Sequence, residues 1–259
     1  MTYRTKQTND AEKKSSKMDI ATINLAYYLR MYQNAQKNED DEAKAYWATM
    51  ILCQLSDIED TCKRSSAFAK KWEEWKNANQ TAYSEAYQIE HMQHAVPHAY
   101  GRGIGKATAA DFSEKAISIL TKNPPKYGWG GQNDEFTDCS GFVLRCLAEL
   151  EIYLPDMNAQ ALFNNFALKD GTRPIKVRLE NLKPGDLIFY GRRYAADLFH
   201  VTHVAIYIGN GEAVSPIGNV EVNPDGTYET WGPGLMLHPW NYEKCGEILG
   251  YGRLPYFRR

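Results

Sequence analysis

The feature that most constrains this chain is a single change in its hydrophobic period. From Ile20 to about His94 the apolar residues recur every three or four positions: Ile23, Tyr27 and Met31, then Ala43, Trp47, Met50 and Ile51, then Leu55 and Ile58. A third run holds Phe68, Trp72 and Trp75, and a fourth begins at about Tyr83. That spacing lays each set along one face of a helix. Polar breaks at KNEDDE and NANQT divide the region into three or four helices, which form a small bundle by burying their stripes against one another. Beyond Asp186 the signal becomes that of strands: DLIFY (186–190), THVAIYI (202–208), EAVS (212–215), GNVEV (218–222) and EILGYGRL (247–254). Asn210-Gly211 between two of these runs favours a tight hairpin turn. Helices first and antiparallel strands afterwards predict an α+β domain preceded by a small N-terminal helical bundle.

The boundaries follow from composition. Residues 1–18 are polar and read as a disordered tail, 19–98 as the helical domain, 99–107 as a linker and 108–259 as the second domain. Within the last, helices are expected over about 109–121 and from Cys139 to about Glu151, with a loop-rich stretch before the strands. The glycines and Lys106 of YGRGIGKAT suggest a phosphate-binding loop, but Tyr100 stands where the first glycine is required and no strand precedes it. A formal net charge of -2 gives no pull towards nucleic acid. No apolar run approaches the roughly 20 residues that span a bilayer. The first residues hold no apolar core of a secretory signal, so a substrate outside the cytoplasm calls for another delivery route.

The five cysteines, Cys53, Cys62, Cys139, Cys146 and Cys245, have no disulfide-scaffold spacing and are expected to be reduced. Cys139 stands out. Thr137 or Asp138 can cap the helix whose stripe is Phe142, Val143, Cys146, Leu147 and Leu150, which puts Cys139 in its first turn. There the free N–H groups and the helix dipole favour a thiolate. Ser140 and Gly141 let backbone approach a substrate carbonyl, and N–H groups at the helix start can serve as oxyanion donors. A nucleophilic thiol needs a base, and His203 opens the most strongly β stretch of the chain. His200 competes, but lies an odd number of residues away and so on the opposite strand face. His91, His94 and His98 could look like a metal cluster; Pro97 breaks the helix before the third, and no metal site or cofactor is expected. Trp72 and Trp75 share a helical face and suit either core packing or stacking on a partner.

YGWGG, DCSGFV, LKPGDLIFY and HVAIYIGNGE occur in this order at suitable spacing, and over about residues 107–258 the chain resembles the NlpC/P60 family of papain-like cysteine peptidases. YLPDMNAQ also resembles the family's segment after its nucleophile helix. The resemblance implies a papain-like α+β core and hydrolysis of peptidoglycan stem peptides, commonly between γ-D-glutamate and the diamino acid. By position it implies Cys139 as nucleophile, His203 as base and Tyr127 as an aid to the oxyanion and substrate. Asp138 and Ser140 match positions that hold the free amine of a stem peptide, and Trp129 falls in the same substrate-binding segment. One departure stands out. Twelve residues after the base the family usually carries His, Asn or Gln; here the place holds Ser215, with Asn219 as a substitute if the strand curls back.

A wall hydrolase without a secretory signal suits a phage-type lysin or an injected antibacterial toxin acting at the cell wall. An immunity, delivery or inhibitory protein is then the expected partner of the helical domain. The same thiol could instead serve an amidase, deamidase or acyltransferase, or the fold could persist as an inactive wall-binding protein.

Overall fold

The structure, a computed structural model, describes residues 14–91, 105–169, 173–174, 179–195 and 198–258. His94, His98 and most of the expected linker lie outside them. Four helices come first: α1 (Lys17–Lys37), α2 (Asp41–Arg64), α3 (Ser66–Ala78) and α4 (Gln80–His91). Their starts are set by side chains that accept otherwise unpaired N–H groups. Ser16 and Asp19 form a capping box on α1, Asp40 caps α2, and Ser65 caps α3 directly after α2 ends. The stripes meet in a core that includes Leu25, Tyr28, Trp47, Ile51, Ile58, Phe68 and Trp72. The Trp72 and Trp75 rings stack at 4.9 Å against this core, so they pack the bundle.

The chain is ordered earlier than its polar start suggests. Ser15–Ser16, within the stretch expected to be a tail, form a short strand β1 that pairs with a strand more than 200 residues away. The second region continues with α5 (Ala109–Lys122), two short parallel strands β2 (Lys126–Tyr127) and β3 (Phe136–Thr137), then α6 (Cys139–Ala148) and α7 (Ala159–Phe166). A two-residue pair, β4 (Leu168–Lys169) and β5 (Arg173–Pro174), precedes the main sheet. That sheet comprises β6 (Leu187–Ala195), β7 (Leu198–Gly209), β8 (Glu212–Val222), β9 (Tyr228–Pro239) and β10 (Glu247–Gly252). With β1 its order is β1-β9-β8-β7-β6-β10, antiparallel throughout. Asn210 and Gly211 both have positive φ, the mark of the tight turn that their sequence favours between β7 and β8.

One sheet face, through Leu187, Phe189, Val204 and Ile206, packs on Phe112, Phe142, Leu147 and Phe163 of α5–α7. The other gathers Ile188, Tyr190, Ala205, Ala213 and Cys245 into a smaller core. This is the α+β architecture expected, with three differences in detail. EAVS and GNVEV are one strand, β8, whose register shifts at Gly218. There the Tyr127 ring lies so close to the backbone that an added Cβ would sit 2.1 Å from it. β9 went unread because Gly232, Pro233 and Gly234 interrupt it; the two glycines have positive φ, where side chains are strained. The stretch expected to be loop holds α7, only eight residues long and capped by Asn158.

The two regions share structure. Tyr153 and Ala148 join the bundle's core, and Ile20 of α1 packs with Phe136 and Tyr228. Buried Asn24 of α1 uses all four of its hydrogen-bonding positions. Its amide donates to Gln54 Oε1 (2.9 Å) and Gly130 O (2.8 Å), while Oδ1 accepts from Gln132 N (3.2 Å) and Asn133 Nδ2 (2.7 Å). Among the described residues no helix is long and apolar enough to cross a membrane. Asn24→Ala strands the buried Asn133 amide and removes the partner of three partly buried groups, and is expected to cost about 2–3 kcal/mol. Thermal unfolding should move down by roughly 4–12 °C; an unchanged midpoint would contradict this hold of the bundle on the 130–133 loop.

Candidate active site

Asp138 organises the centre of the second region. It is buried and is the N-cap of α6. Its Oδ1 accepts from Gly141 N (2.7 Å) and Ser140 Oγ (3.0 Å), and its Oδ2 from Gly130 N (2.8 Å). Asp138 N donates to Gly131 O at 3.1 Å, so the glycine-rich loop and the helix start are tied in both directions. Gly141 is required by the same closeness: a Cβ there would lie 2.1 Å from Gly131 O. Burial raises the Asp138 carboxyl against the lowering effect of these donors.

Cys139 is thereby fixed in the first turn of α6, 9% exposed. Backbone N–H groups of Val204, Ser140 and Cys139 itself act on its sulfur. The thiolate expected at the helix start is nonetheless disfavoured. Burial is the largest influence, the Asp138 carboxylate adds repulsion, and together they push the thiol up to about 12. The helix start lowers the thiol but does not overcome its desolvation.

His203 lies on β7, immediately before Val204, which shares the core with Cys139. It is half-buried, and burial with the nearby His238 pulls its imidazole down to about 3. Cys139 and His203 therefore rest as a neutral thiol and a neutral imidazole at ordinary pH. His203 Nε2 lies 2.9 Å from Ser215 Oγ, so Ser215 on β8 reaches the ring directly. Behind it stands His238 of β9, which the sequence reading missed: its Nε2 is 2.7 Å from Ser215 Oγ and its Nδ1 is 2.9 Å from Pro239 O. Ser215 pairs opposite Met236 and His238 opposite Ala213, making Ser215 and His238 diagonal neighbours on one sheet face.

Tyr127 on β2 is half-buried; burial, then Asp138 and Cys139, raise its phenol well above the ordinary range. Ser140 is buried with its hydroxyl on Asp138. Trp129 is 42% exposed and packs its ring 5.1 Å from Tyr228, whose hydroxyl donates to Trp129 O. His200 is exposed and stacks on Tyr194, while Asn219 is exposed opposite Trp231. A cavity of about 450 Å³ opens beside the site between α1, α2 and the second region, lined by Lys17, Asn24, Gln54, Trp129, Gln132 and Asp156 among others. Neither Cys139 nor His203 lines it; it meets the site at Gly130. Asp156 faces this space with its carboxyl raised by burial, its Oδ1 accepting from Gln132 Nε2 at 2.5 Å.

All five cysteines are free. One nitrogen each of His203 and His238 lies within 4.8 Å of the other and of Cys245 Sγ. Here the Ser215 hydroxyl, bonded to both rings, occupies the space between them.

A thiol at a buried helix start, set against an antiparallel sheet that carries a histidine held by its neighbours, gives this α+β region a candidate thiol–imidazole site. Residues 125–231 match the NlpC/P60 family profile. The bifunctional muramidase/DL-endopeptidase CwlT of Bacillus subtilis is 29% identical over 150 residues, 57% of this chain and 40% of that protein. The gamma-DL-glutamyl hydrolase of Bacillus subtilis is 31% identical over 108 residues, 40% of this chain and 24% of that protein. The probable endopeptidase p60 of Listeria monocytogenes is 29% identical over 93 residues, 36% of this chain and 16% of that protein. The chain thus spans less than half the length of these relatives. A crystal structure of an NlpC/P60 family protein from Bacillus cereus superimposes with a TM-score of 0.40 at 24% identity, covering 60% of this chain and 42% of that one.

The buried imidazole has a consequence for stability. A base whose pKa falls from 6.5 to about 3 on folding takes up protons preferentially when unfolded. Its stabilisation is complete above pH 6.5 and is lost as the pH falls towards 3. The acid limb of stability between pH 6 and pH 5 should therefore be shallower in His203→Gln, by up to about 1.4 kcal/mol per pH unit. Denaturant titrations at a series of pH values measure it; equal slopes would contradict the buried neutral state.

Proposed function

We propose that the protein is a cysteine endopeptidase that cleaves peptidoglycan stem peptides, with Cys139 as nucleophile and His203 as base. The observation that carries this reading is the Cys139 sulfur at a buried helix start, in the same packed core as Val204, the residue that follows His203. The endopeptidase and hydrolase names of the relatives support the same substrate class.

As Cys139 Sγ attacks the scissile carbonyl, its proton passes to His203. The developing oxyanion is met by the Cys139 N–H at the helix start and the Tyr127 hydroxyl. His203 then protonates the leaving amine, and in the second half-reaction it activates the water that releases the acyl group. Because burial keeps both partners neutral at rest, the proton moves only with the attack itself. Asp138 already accepts three hydrogen bonds, two at Oδ1 and one at Oδ2, which leaves Oδ2 with capacity for one more donor. That capacity, with the Ser140 hydroxyl, suits the free amine of a short stem peptide. Trp129 offers an aromatic wall at the mouth of the adjoining cavity.

The bond favoured by this reading joins γ-D-glutamate to the diamino acid. The site of action is the bacterial cell wall, as for a phage-type lysin or an injected antibacterial toxin, and α1–α4 form the surface that a delivery, immunity or inhibitory protein would contact. Purified walls of the diaminopimelate and lysine types, followed by mass spectrometry of the soluble products, test the activity. Wild-type protein should release stem-peptide fragments and Cys139→Ala should reduce release by at least about a thousandfold. Absence of fragments from both wall types with the wild-type protein would overturn the proposal.

A further inference from the structure

We infer that His238 is a positioning residue of this site, acting through Ser215 to hold His203 in the one tautomer that can take a proton from Cys139. This rests on the reading of Cys139 and His203 as nucleophile and base. One group at the end of this chain of bonds has no choice. The Pro239 carbonyl can only accept, so at 2.9 Å His238 Nδ1 carries the proton. A neutral His238 then has a bare Nε2, and the Ser215 hydroxyl, 2.7 Å away, donates to it. With its single proton committed, Ser215 Oγ can meet His203 Nε2 at 2.9 Å only as an acceptor. His203 therefore carries its proton on Nε2 and keeps the lone pair on Nδ1.

The same polarity serves both protonation states of the base. Imidazole and imidazolium each donate from Nε2 to Ser215, so the chain persists while Nδ1 gains and loses its proton. Serine alone would not achieve this. Without an acceptor behind it, the hydroxyl is free to donate to His203 Nε2, which stabilises the opposite tautomer and removes the lone pair from Nδ1. His238 thus supplies the polarity that a bare serine lacks at the position where a larger side chain is expected.

The surroundings keep His238 neutral. It is 3% exposed, and burial lowers its imidazole. The titratable groups about the chain are Tyr190 of β6, whose ring lies 5.7 Å from His203, Tyr242, whose ring lies 5.3 Å from His238, and Cys245, within 4.8 Å of both imidazoles. Burial raises the Tyr190 phenol and pushes the Cys245 thiol up to about 12, so neither brings charge at neutral pH.

Two variants of the full chain separate polarity from packing. His238→Gln presents an amide oxygen that can still accept from Ser215, whereas His238→Leu fills space without an acceptor. Circular dichroism verifies that both fold. The readout is the pH profile of Cys139 alkylation by iodoacetamide, resolved by peptide mass spectrometry, which needs no wall substrate. His238→Leu should lower the neutral-pH rate about tenfold or more and reshape the profile, while His238→Gln stays within about threefold of wild type. Equal behaviour of the two variants, both intact or both impaired, would overturn the inference. His203→Ala is the control: a wild-type profile there sinks the Cys139–His203 pair and the relay with it. An altered control beside an unaltered His238→Leu sinks the relay alone.

Discussion

The Asp138 carboxylate is the constraint on which the rest of the site depends. It starts α6, so it sets where the first turn begins and where Cys139 points. It also holds Gly130, and through the adjacent backbone bond Gly131, against that turn. From there the order spreads outward. The 130–133 loop is gripped from the other side by Asn24 of α1, so the helical bundle bears on the geometry beside the nucleophile. A burial-driven fold brings these polar groups together, and hydrogen bonding makes the arrangement unique.

The electrostatics of the pair show two effects of opposite sign and unequal size. A helix start and three backbone N–H groups favour negative charge on Cys139 sulfur; removal from water and the neighbouring carboxylate disfavour it more strongly. His203 is likewise held neutral by burial. The resting site stores no ion pair, and the bonds that orient the imidazole are made between neutral groups. Orientation therefore rests on which atoms can donate and which can only accept, and Pro239 O at the end of the chain decides that for every partner before it.

Much of this was legible in the residues. The helical stripes, the Asn210-Gly211 turn and the order of helices before strands follow from periodicity and turn chemistry, and the structure has them all. Asp138 as the cap of the Cys139 helix was one of two choices, and its carboxylate proves better placed to take the Gly141 N–H than Thr137. What escaped notice has physical reasons. The fragment WGPGLMLHP carries glycine and proline where a strand reader sees a break, so β9 was unread and His238 with it. The glycines there serve positive φ and close approach: a Cβ on Gly234 would lie 2.6 Å from Pro125 O. No local signal marks His238, because its role depends on pairing across strands that are distant in sequence. The thiol's resting state also escaped, since burial is a tertiary property and the helix start is a local one.

Histidine nitrogen correlation spectra of the ¹⁵N-labelled protein at neutral pH test the account most directly, because they read the protonated nitrogen of each ring. His203 should be protonated on Nε2 with Nδ1 bare, and His238 on Nδ1 with Nε2 bare. His203 protonated on Nδ1 alone, or His238 on Nε2, would contradict it.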